Sequence, residues 1–295
     1  MKTTQIYSAL FSVMLMPLCL FSASLDQYPK EIRKSFSVNK DVLFRCDVDF
    51  SNVVVTTWDQ STVEVVVVVN INAKSEERAN EMFEKIKVDL DGGGSQVSMK
   101  VNVDNLNCKN NENWSMDATV KMPATGSIDG HVDFGDLTIS DLAGNLNINL
   151  QYGNLVAGKL SGSNNAVELA FGDAKVGRWS GGGMKAQYGN VVIAELNGNI
   201  NLNLAFGDAK IEQLQSACKS LAAELEYGDL VIDLGASVGV AFDIESSYGD
   251  VNIPNSAVVT LKEKDYTSSH KVGTIGSGAT KLKLISSFGD VAIVL

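Results

Sequence analysis

The 295-residue sequence predicts an all-β fold: a parallel β-solenoid of about 18–21 residues per coil, with one helix in an N-terminal capping excursion. Three observations carry this. A three-residue signature (Phe or Tyr, then Gly, then Asp or Asn) occurs eight times: Phe134-Gly135-Asp136, Tyr152-Gly153-Asn154, Phe171-Gly172-Asp173, Tyr188-Gly189-Asn190, Phe206-Gly207-Asp208, Tyr227-Gly228-Asp229, Tyr248-Gly249-Asp250 and Phe288-Gly289-Asp290. Its copies are spaced by 18, 19, 17, 18, 21, 21 and 40 residues, the last close to twice the rest. Between copies the chain alternates apolar and polar residues over strand-length runs, as half-buried strands do.

The elements follow in chain order. Lys2, the apolar stretch Ile6 to Phe21 and the small residues Ser22-Ala23-Ser24 read as an export signal over residues 1–24, cleaved after Ser24. Cys19 offers a lipoprotein alternative, although Met16, Pro17 and Leu18 make a poor lipobox. Residues 25–128 form an N-terminal β-rich lead-in and cap segment. Within it Phe50-Ser51-Asn52 repeats the corner with Ser in place of Gly, so the first coil begins before residue 50. Val63 to Ala73 reads as a strand. Ser75 is a plausible N-cap for a helix near 75–88, with Glu76 and Glu77 in its first turn and Ala79, Met82, Phe83 and Ile86 on one face. Asp91-Gly92-Gly93-Gly94 reads as a turn, then Val97 to Val103 and Trp114 to Met122 as strands. A helix laid over the first coil would cover an open sheet edge. Residues 129–295 are the solenoid repeats, interrupted by a polar loop from Lys262 to Lys271 inside a double-length last repeat.

Counting from the aromatic as position 0, positions 3 and 5 are apolar or small almost throughout, as in Leu137 and Ile139 or Val191 and Ile193. Position 8 is large and apolar in Leu142, Leu160, Trp179, Leu196 and Leu214. Before the corner, Leu146, Ile148, Leu150 and Tyr152 share one parity, against Asn145, Asn147, Asn149 and Gln151. The pattern places the aromatics inside, as a ladder in which each burial contributes roughly 1.5–3 kcal/mol. It gives the glycines the bend, where a positive φ costs Gly nothing sterically. Coils stack about 4.8 Å apart. At that distance two carboxylates repel by roughly 3 kcal/mol at a surface-like dielectric before screening. The Asp–Asn alternation from Asp136 to Asp208 avoids that cost, but Asp229, Asp250 and Asp290 abandon it. Gly-Asn between alternating runs is also a hairpin signal, so an antiparallel meander is the competing arrangement.

The formal charge of −11 argues against nucleic acid, whose phosphates require Lys and Arg. Beyond the signal no apolar run reaches the ~18 residues of a membrane span. Of the remaining cysteines, Cys46 and Cys108 could pair, while Cys46 shares parity with Phe44 and Val48 and reads as a small buried hydrophobe.

An export signal, the Phe50-Ser51-Asn52 segment leading to Thr57-Trp58-Asp59, a strand–helix excursion and the corner array together resemble the putative-adhesin β-strand repeat family, exported bacterial proteins grouped as a domain of unknown function. The resemblance covers roughly residues 35–295. It implies a right-handed parallel β-helix, a periplasmic, outer-envelope or secreted location, and no catalytic residues.

Candidate chemistry is sparse. His131 lies on the outward parity and His270 in the polar loop, without evident partners for a catalytic triad or a metal site. Asp89-Leu90-Asp91-Gly92 is similar to the start of a calcium loop, but Lys100 stands where its bidentate Glu belongs. No cofactor is called for. One functional class is a non-enzymatic surface or envelope protein whose outer coil faces contact a glycan, a matrix component or an envelope protein. Asn145, Asn147, Asn149, Glu168, Lys185, Gln187, Asn199, Asn201, Asn203, Glu224 and Glu226 are its polar-face candidates. A polysaccharide-active enzyme is the alternative and would need paired carboxylates in a groove. An envelope sensor or scaffold acting with a partner is a third reading.

Overall fold

The computed structural model describes residues 25–109, 111–235 and 238–295. The export signal and Cys19 lie outside them. Strands that lead into the corners, such as Leu146–Gln151, Asn165–Ala170, Gly182–Gln187 and Ile200–Ala205, pair in parallel to form one long sheet. Strands that leave the corners, such as Leu155–Leu160, Ala174–Trp179, Val191–Leu196 and Ala209–Leu214, form a second. Like faces like across coils: Val176 is in register with Ala157 and Ile193, and Leu169 with Leu150 and Ala186. The array is therefore a parallel β-solenoid, and the antiparallel meander is ruled out for it.

The core lies between the sheets. Residues at positions 3, 5 and 8 fill it, with Leu137, Ile139, Leu142, Leu155, Leu160, Val176, Trp179, Ile193, Leu196, Ile211 and Leu214 all buried. The inward residues of the leading strands, including Ile148, Leu150, Leu202 and Leu204, meet them. Each position recurs once per coil, so one cross-section of apolar side chains is propagated along the stack.

At the N-terminal end the strand Asp26–Asp49 belongs to both sheets. Its first half runs antiparallel to Thr62–Ala73, and Leu43 to Val48 lie parallel to both Gln96–Val101 and Ser127–Val132. Thr62–Ala73 is antiparallel to Asn113–Pro123, which is parallel to Asn52–Trp58. The Phe50 coil is thus flanked on both sides. The helix is Glu76–Phe83, shorter than the 75–88 expected, because Ile86 already opens the strand Ile86–Val103. Ser75 caps it by accepting from the Arg78 N–H at 3.2 Å, and Ala79 and Met82 are buried against the end of the stack. The triple glycine at 92–94 is not a turn. It lies within that strand, with φ of 129°, 146° and 59°, and directly after it the pairing partner jumps from Val38, opposite Gly94, to Leu43, opposite Gln96.

At the C-terminal end the expected polar loop is an antiparallel pair of strands, Val258–Lys264 and Ser268–Ile275, laid on Val240–Ser247. The chain then turns back. Thr280–Ser287 inserts between Ser220–Glu226 and Val240–Ser247, parallel to both. Val291–Val294 does the same between Leu230–Leu234 and Val251–Asn252. The last coil in sequence is therefore the second-to-last in space, which accounts for the 40-residue spacing. No helix among the described residues is long and apolar enough to cross a membrane.

Candidate functional site: an aromatic ladder on the outer surface

The corner aromatics lie on the outside, not in the core. Phe50, Phe134, Tyr152, Phe171, Tyr188, Phe206, Tyr227, Tyr248 and Phe288 all have φ between 55° and 59°, and eight are 45–50% exposed. This left-handed conformation inverts the side on which a side chain emerges. Tyr152 therefore projects outward directly after the outward-facing Gln151, and inward alternation resumes at Gly153 and Leu155. The positive φ assigned to the glycines belongs to the residue before each of them. None of the eight corner glycines has a positive φ.

Glycine is required at the corner for a different reason. A Cβ at Gly153 would stand 2.0 Å from the Gly135 carbonyl oxygen, and one at Gly189 would stand 1.8 Å from that of Gly172. The same near-contact recurs at Gly135, Gly172, Gly207, Gly228, Gly249 and Gly289, each against the neighbouring coil's corner backbone. Ser51 occupies the end of this column, because no aromatic-glycine pair stands in the sequence between the next coil's strands, Ile86–Val103 and Asn113–Pro123. That position alone has room for a side chain.

The rings form one uninterrupted stack. Successive centroids from Phe50 to Phe206 are 4.8–4.9 Å apart with interplanar angles of 1–8°. Phe206 to Tyr227, Tyr227 to Phe288 and Phe288 to Tyr248 continue it at 4.9, 4.7 and 4.8 Å. The strand reversal puts Phe288 between the two tyrosines. The Phe–Tyr alternation is broken in sequence at Tyr227 and Tyr248, but it is unbroken in space from Phe134 to Tyr248. The stack is about 39 Å long at the inter-strand spacing of a sheet. A left-handed conformation costs a non-glycine residue roughly 1–2 kcal/mol, and an aromatic pair contributes roughly 0.5–1.5 kcal/mol beyond area burial. The two are comparable, so the ladder is not simply a stability device.

A second ladder runs beside the first. The backbone N–H of each position-2 residue donates to the Oδ1 of the residue one coil back: Asn154 to Asp136 (2.8 Å), Asp173 to Asn154 (3.0 Å), Asn190 to Asp173 (2.8 Å) and Asp208 to Asn190 (2.9 Å). It continues through Asp229 to Asp208, Asp290 to Asp229 and Asp250 to Asp290. The position demands an Oδ1 acceptor, which Asp and Asn both supply. The row Asp208, Asp229, Asp290 and Asp250 is thereby held by N–H donors, and Lys264 closes it with an ion pair to Asp250 at 3.1 Å.

On the other flank, the outer face of the leading-strand sheet is shallowly concave. A depression of about 310 Å³ is lined by Asn149, Gln151, Glu168, Lys185 and Gln187. It adjoins another of about 440 Å³ lined by Lys185, Gln187, Asn203, Glu224, Glu226 and Ser287. Glu168 is paired with Lys185 at 3.0 Å, and Glu224 and Glu226 are exposed. This face offers amides, hydroxyls and hydrated charges, with no desolvated carboxylate among these residues to act as a general acid.

The histidines do have partners. His131 Nε2 lies 3.0 Å from Asp47, and His270 Nε2 lies 2.8 Å from Asp243. Asp49, His131 and Asp133 bring ligand-type atoms within 4.8 Å of one another, as do Asp243, Glu245 and His270. Cross-strand register assembles both groups, for Asp49 sits opposite Asp133, two residues on from the Asp47–His131 pair, and Glu245 sits opposite His270. Sequence spacing carries no trace of it, since 84 and 27 residues separate the paired residues. Cys46 and Cys108 are free thiols and do not pair; Cys46 is buried, and burial pushes its thiol up to about 12.

Residues 47–294 match the model of the family described as Toastrack DUF4097. Among solved structures the chain is similar to a putative adhesin from Bacteroides fragilis, at 12% identity and a TM-score of 0.48, covering 90% of this chain and 97% of that one. It is also similar to a putative lipid binding protein from Parabacteroides distasonis, at 12% identity and a TM-score of 0.42 with the same coverage. A putative adhesin from Parabacteroides merdae gives 10% identity and 0.39, again over 90% and 97% of the two chains. A search of curated proteins finds no match.

Proposed function

This chain belongs to the Toastrack DUF4097 family, and from the surface its solenoid displays we propose that it is a non-enzymatic, exported, adhesin-like envelope or surface protein. It binds or scaffolds through the outer faces of the coils. The observation that carries this reading is the ladder itself: nine rings kept half in water, each at a strained backbone angle, in one straight apolar seam. Strain retained at a repeated position points to a function for that position, and a contiguous exposed apolar patch marks an interaction surface.

Stacking dictates what the seam can recognise. Each internal ring covers the faces of its neighbours, so the seam offers ring edges, with a tyrosine hydroxyl on every second coil. A sugar ring needs an aromatic face, and the internal rings have none free. A protein surface laid along the solenoid axis can use the edges as hydrophobic contact and the hydroxyls and carboxylates as polar rim. We assign the partner of the seam as an envelope protein. The concave amide-rich face beside it is the surface available to a glycan.

The test is capture from envelope extracts by the purified mature chain, compared with a Phe171→Asn/Phe206→Asn double variant. Asn accepts a left-handed φ, so the variant keeps the corners and loses two rings. Capture of the same proteins in the same amounts by both would refute the seam as the binding surface.

A further inference from the structure

The ladder has two ends, and only one is open. At the N-terminal end Phe50 is met edge-on by Trp114, with centroids 6.0 Å apart at 66°. At the other end Tyr248 has Phe288 on one side and, among the described residues, no aromatic or cationic partner on the other. It is correspondingly the most exposed rung, at 62%. The tip of the strand pair from Val258 to Ile275 folds beside this free face, anchored by the Tyr248 N–H donating to the Thr267 carbonyl at 2.6 Å. Together they enclose a recess of about 310 Å³ lined by Tyr248, Asp250, Lys264, Asp265, Tyr266 and Asp290, among others.

We propose that this recess binds an organic cation, seating a quaternary ammonium head on the open face of Tyr248. The ring face is negative at its centre and attracts a cation within about 6 Å. Three carboxylates and one ammonium line the recess, leaving it a net negative charge. Two of those carboxylates already hold a donor: Asp250 pairs with Lys264 at 3.1 Å, and Asp290 accepts the Asp250 N–H at 2.7 Å. A site with a negative field and a free π-face suits a diffuse cation, whose attraction to the ring requires no hydrogen bond. Tyr266, fully exposed at the tip, is a second aromatic residue at the rim of the recess. Lys264 is the chain's own competitor, because its ammonium already neutralises part of the field. The proposal deepens the reading of this molecule as a binding protein and rests on the seam's last ring, but the two are tested separately, since the seam variant at Phe171 and Phe206 leaves the recess intact.

Isothermal titration of the mature chain with choline chloride tests it, with 3,3-dimethyl-1-butanol as the uncharged molecule of the same shape. Choline is expected to bind saturably and the alcohol at least tenfold more weakly, a factor of roughly the size of one desolvated cation–π contact. Tyr248→Asn should weaken choline roughly three- to thirtyfold, whereas Tyr188→Asn, whose ring has both faces covered, should leave it unchanged. Lys264→Gln should strengthen it, a gain that does not depend on the fold tolerating a corner substitution. The proposal is overturned by absence of saturable heat with choline, by equal binding of the alcohol, by preferential binding of a methyl glycoside, or by a Lys264→Gln variant that binds no tighter. Choline titrated against phosphatidylcholine vesicles separates a free ammonium compound from a lipid headgroup. Vesicle binding insensitive to Tyr248→Asn would overturn the assignment to this recess.

Discussion

The α-carbon of Gly172 lies so close to the carbonyl oxygen of Gly153 that a Cβ built on it would stand only 1.9 Å away. The obstacle is backbone, so no rotamer change relieves it. Gly172→Ala must therefore push two coils apart, and is expected to cost upward of about 3 kcal/mol or to abolish folding, as severe overpacking does. Gly183→Ala is the matched control: its Cβ would meet only the Asn201 oxygen at 3.6 Å, an ordinary contact. Urea denaturation midpoints of the two variants check this. Equal midpoints would remove the stacking explanation of the corner glycine.

The ring before each glycine makes a different demand. At Tyr188, φ of 57° is tolerable for Asn, which visits the left-handed region, and costly for a β-branched residue. Tyr188→Val should lose both the stacking and the backbone conformation, while Tyr188→Asn loses only the stacking. We expect Val to be less stable than Asn by about 1–2 kcal/mol, the left-handed penalty. An inward-facing ring would give the opposite order, because Val would then be the better replacement in a core.

That contrast shows where the sequence is legible. Period and alternation are enough to place Leu155, Val176, Ile193 and their column in the core, because a strand's side chains obey a strict two-residue rule. Tyr152 shares the parity of Leu150 yet faces water, since its own positive φ shifts the rule by a residue, and no pattern of residue types records a dihedral. The role of the corner Gly is ambiguous in sequence for the same reason: its lack of a Cβ serves both a positive φ and a close approach. The place of Phe288 was hidden differently. A 40-residue spacing is compatible with a long loop, and only pairing of Thr280–Ser287 with strands on both sides reveals an insertion. His131 and Asp47 meet through register between distant strands, which sequence separation does not encode.

The thiols should differ sharply in reactivity. Cys46 is enclosed in the core with its thiol pushed up to about 12 by burial and, secondarily, by Asp47; Cys218 is raised to about 11, also by burial. The thiolate is the nucleophile. Of Cys46, Cys108 and Cys218, iodoacetamide at pH 8 should therefore modify only exposed Cys108 in the folded protein, and the other two of these three only after denaturation. Peptide mass mapping before and after urea reads this directly.

Glu112 should make stability pH-dependent. Its carboxylate is buried and gripped by Arg78 through Nε at 3.1 Å and Nη2 at 3.0 Å, and it accepts the Lys109 N–H at 3.0 Å. The Arg78 hydrogen bonds, then that N–H, hold its pKa below the ordinary carboxylate value. A depressed folded pKa stabilises above the unfolded value, about 4.3 for Glu, and that contribution disappears as pH falls through the folded pKa. Glu112→Gln should lower the urea midpoint at pH 7, and the gap from wild type should shrink at pH 3. A gap that is constant with pH would mean the ion pair contributes nothing through charge.

The inserted coil predicts how the solenoid comes apart. Residues 240–275 reach the rest of the stack through the strands Thr280–Ser287 and Val291–Val294, which alone pair with both sides. In a stack of nearest-neighbour contacts, stability is lost locally where an interface is removed. A chain ending at Gly276 should therefore keep amide protection in its strands up to Leu234 while residues 240–275 exchange freely, and its seam should stop at Tyr227. In the full chain the same residues should be protected to nearly the level of Ser220–Glu226, because Leu282 and Leu284 are buried between the two coils. Hydrogen exchange followed by mass spectrometry on both chains measures this. Protection of 240–275 in the shortened chain would show that this segment docks on the array by itself, and the inserted coil would then be a lid and not a link.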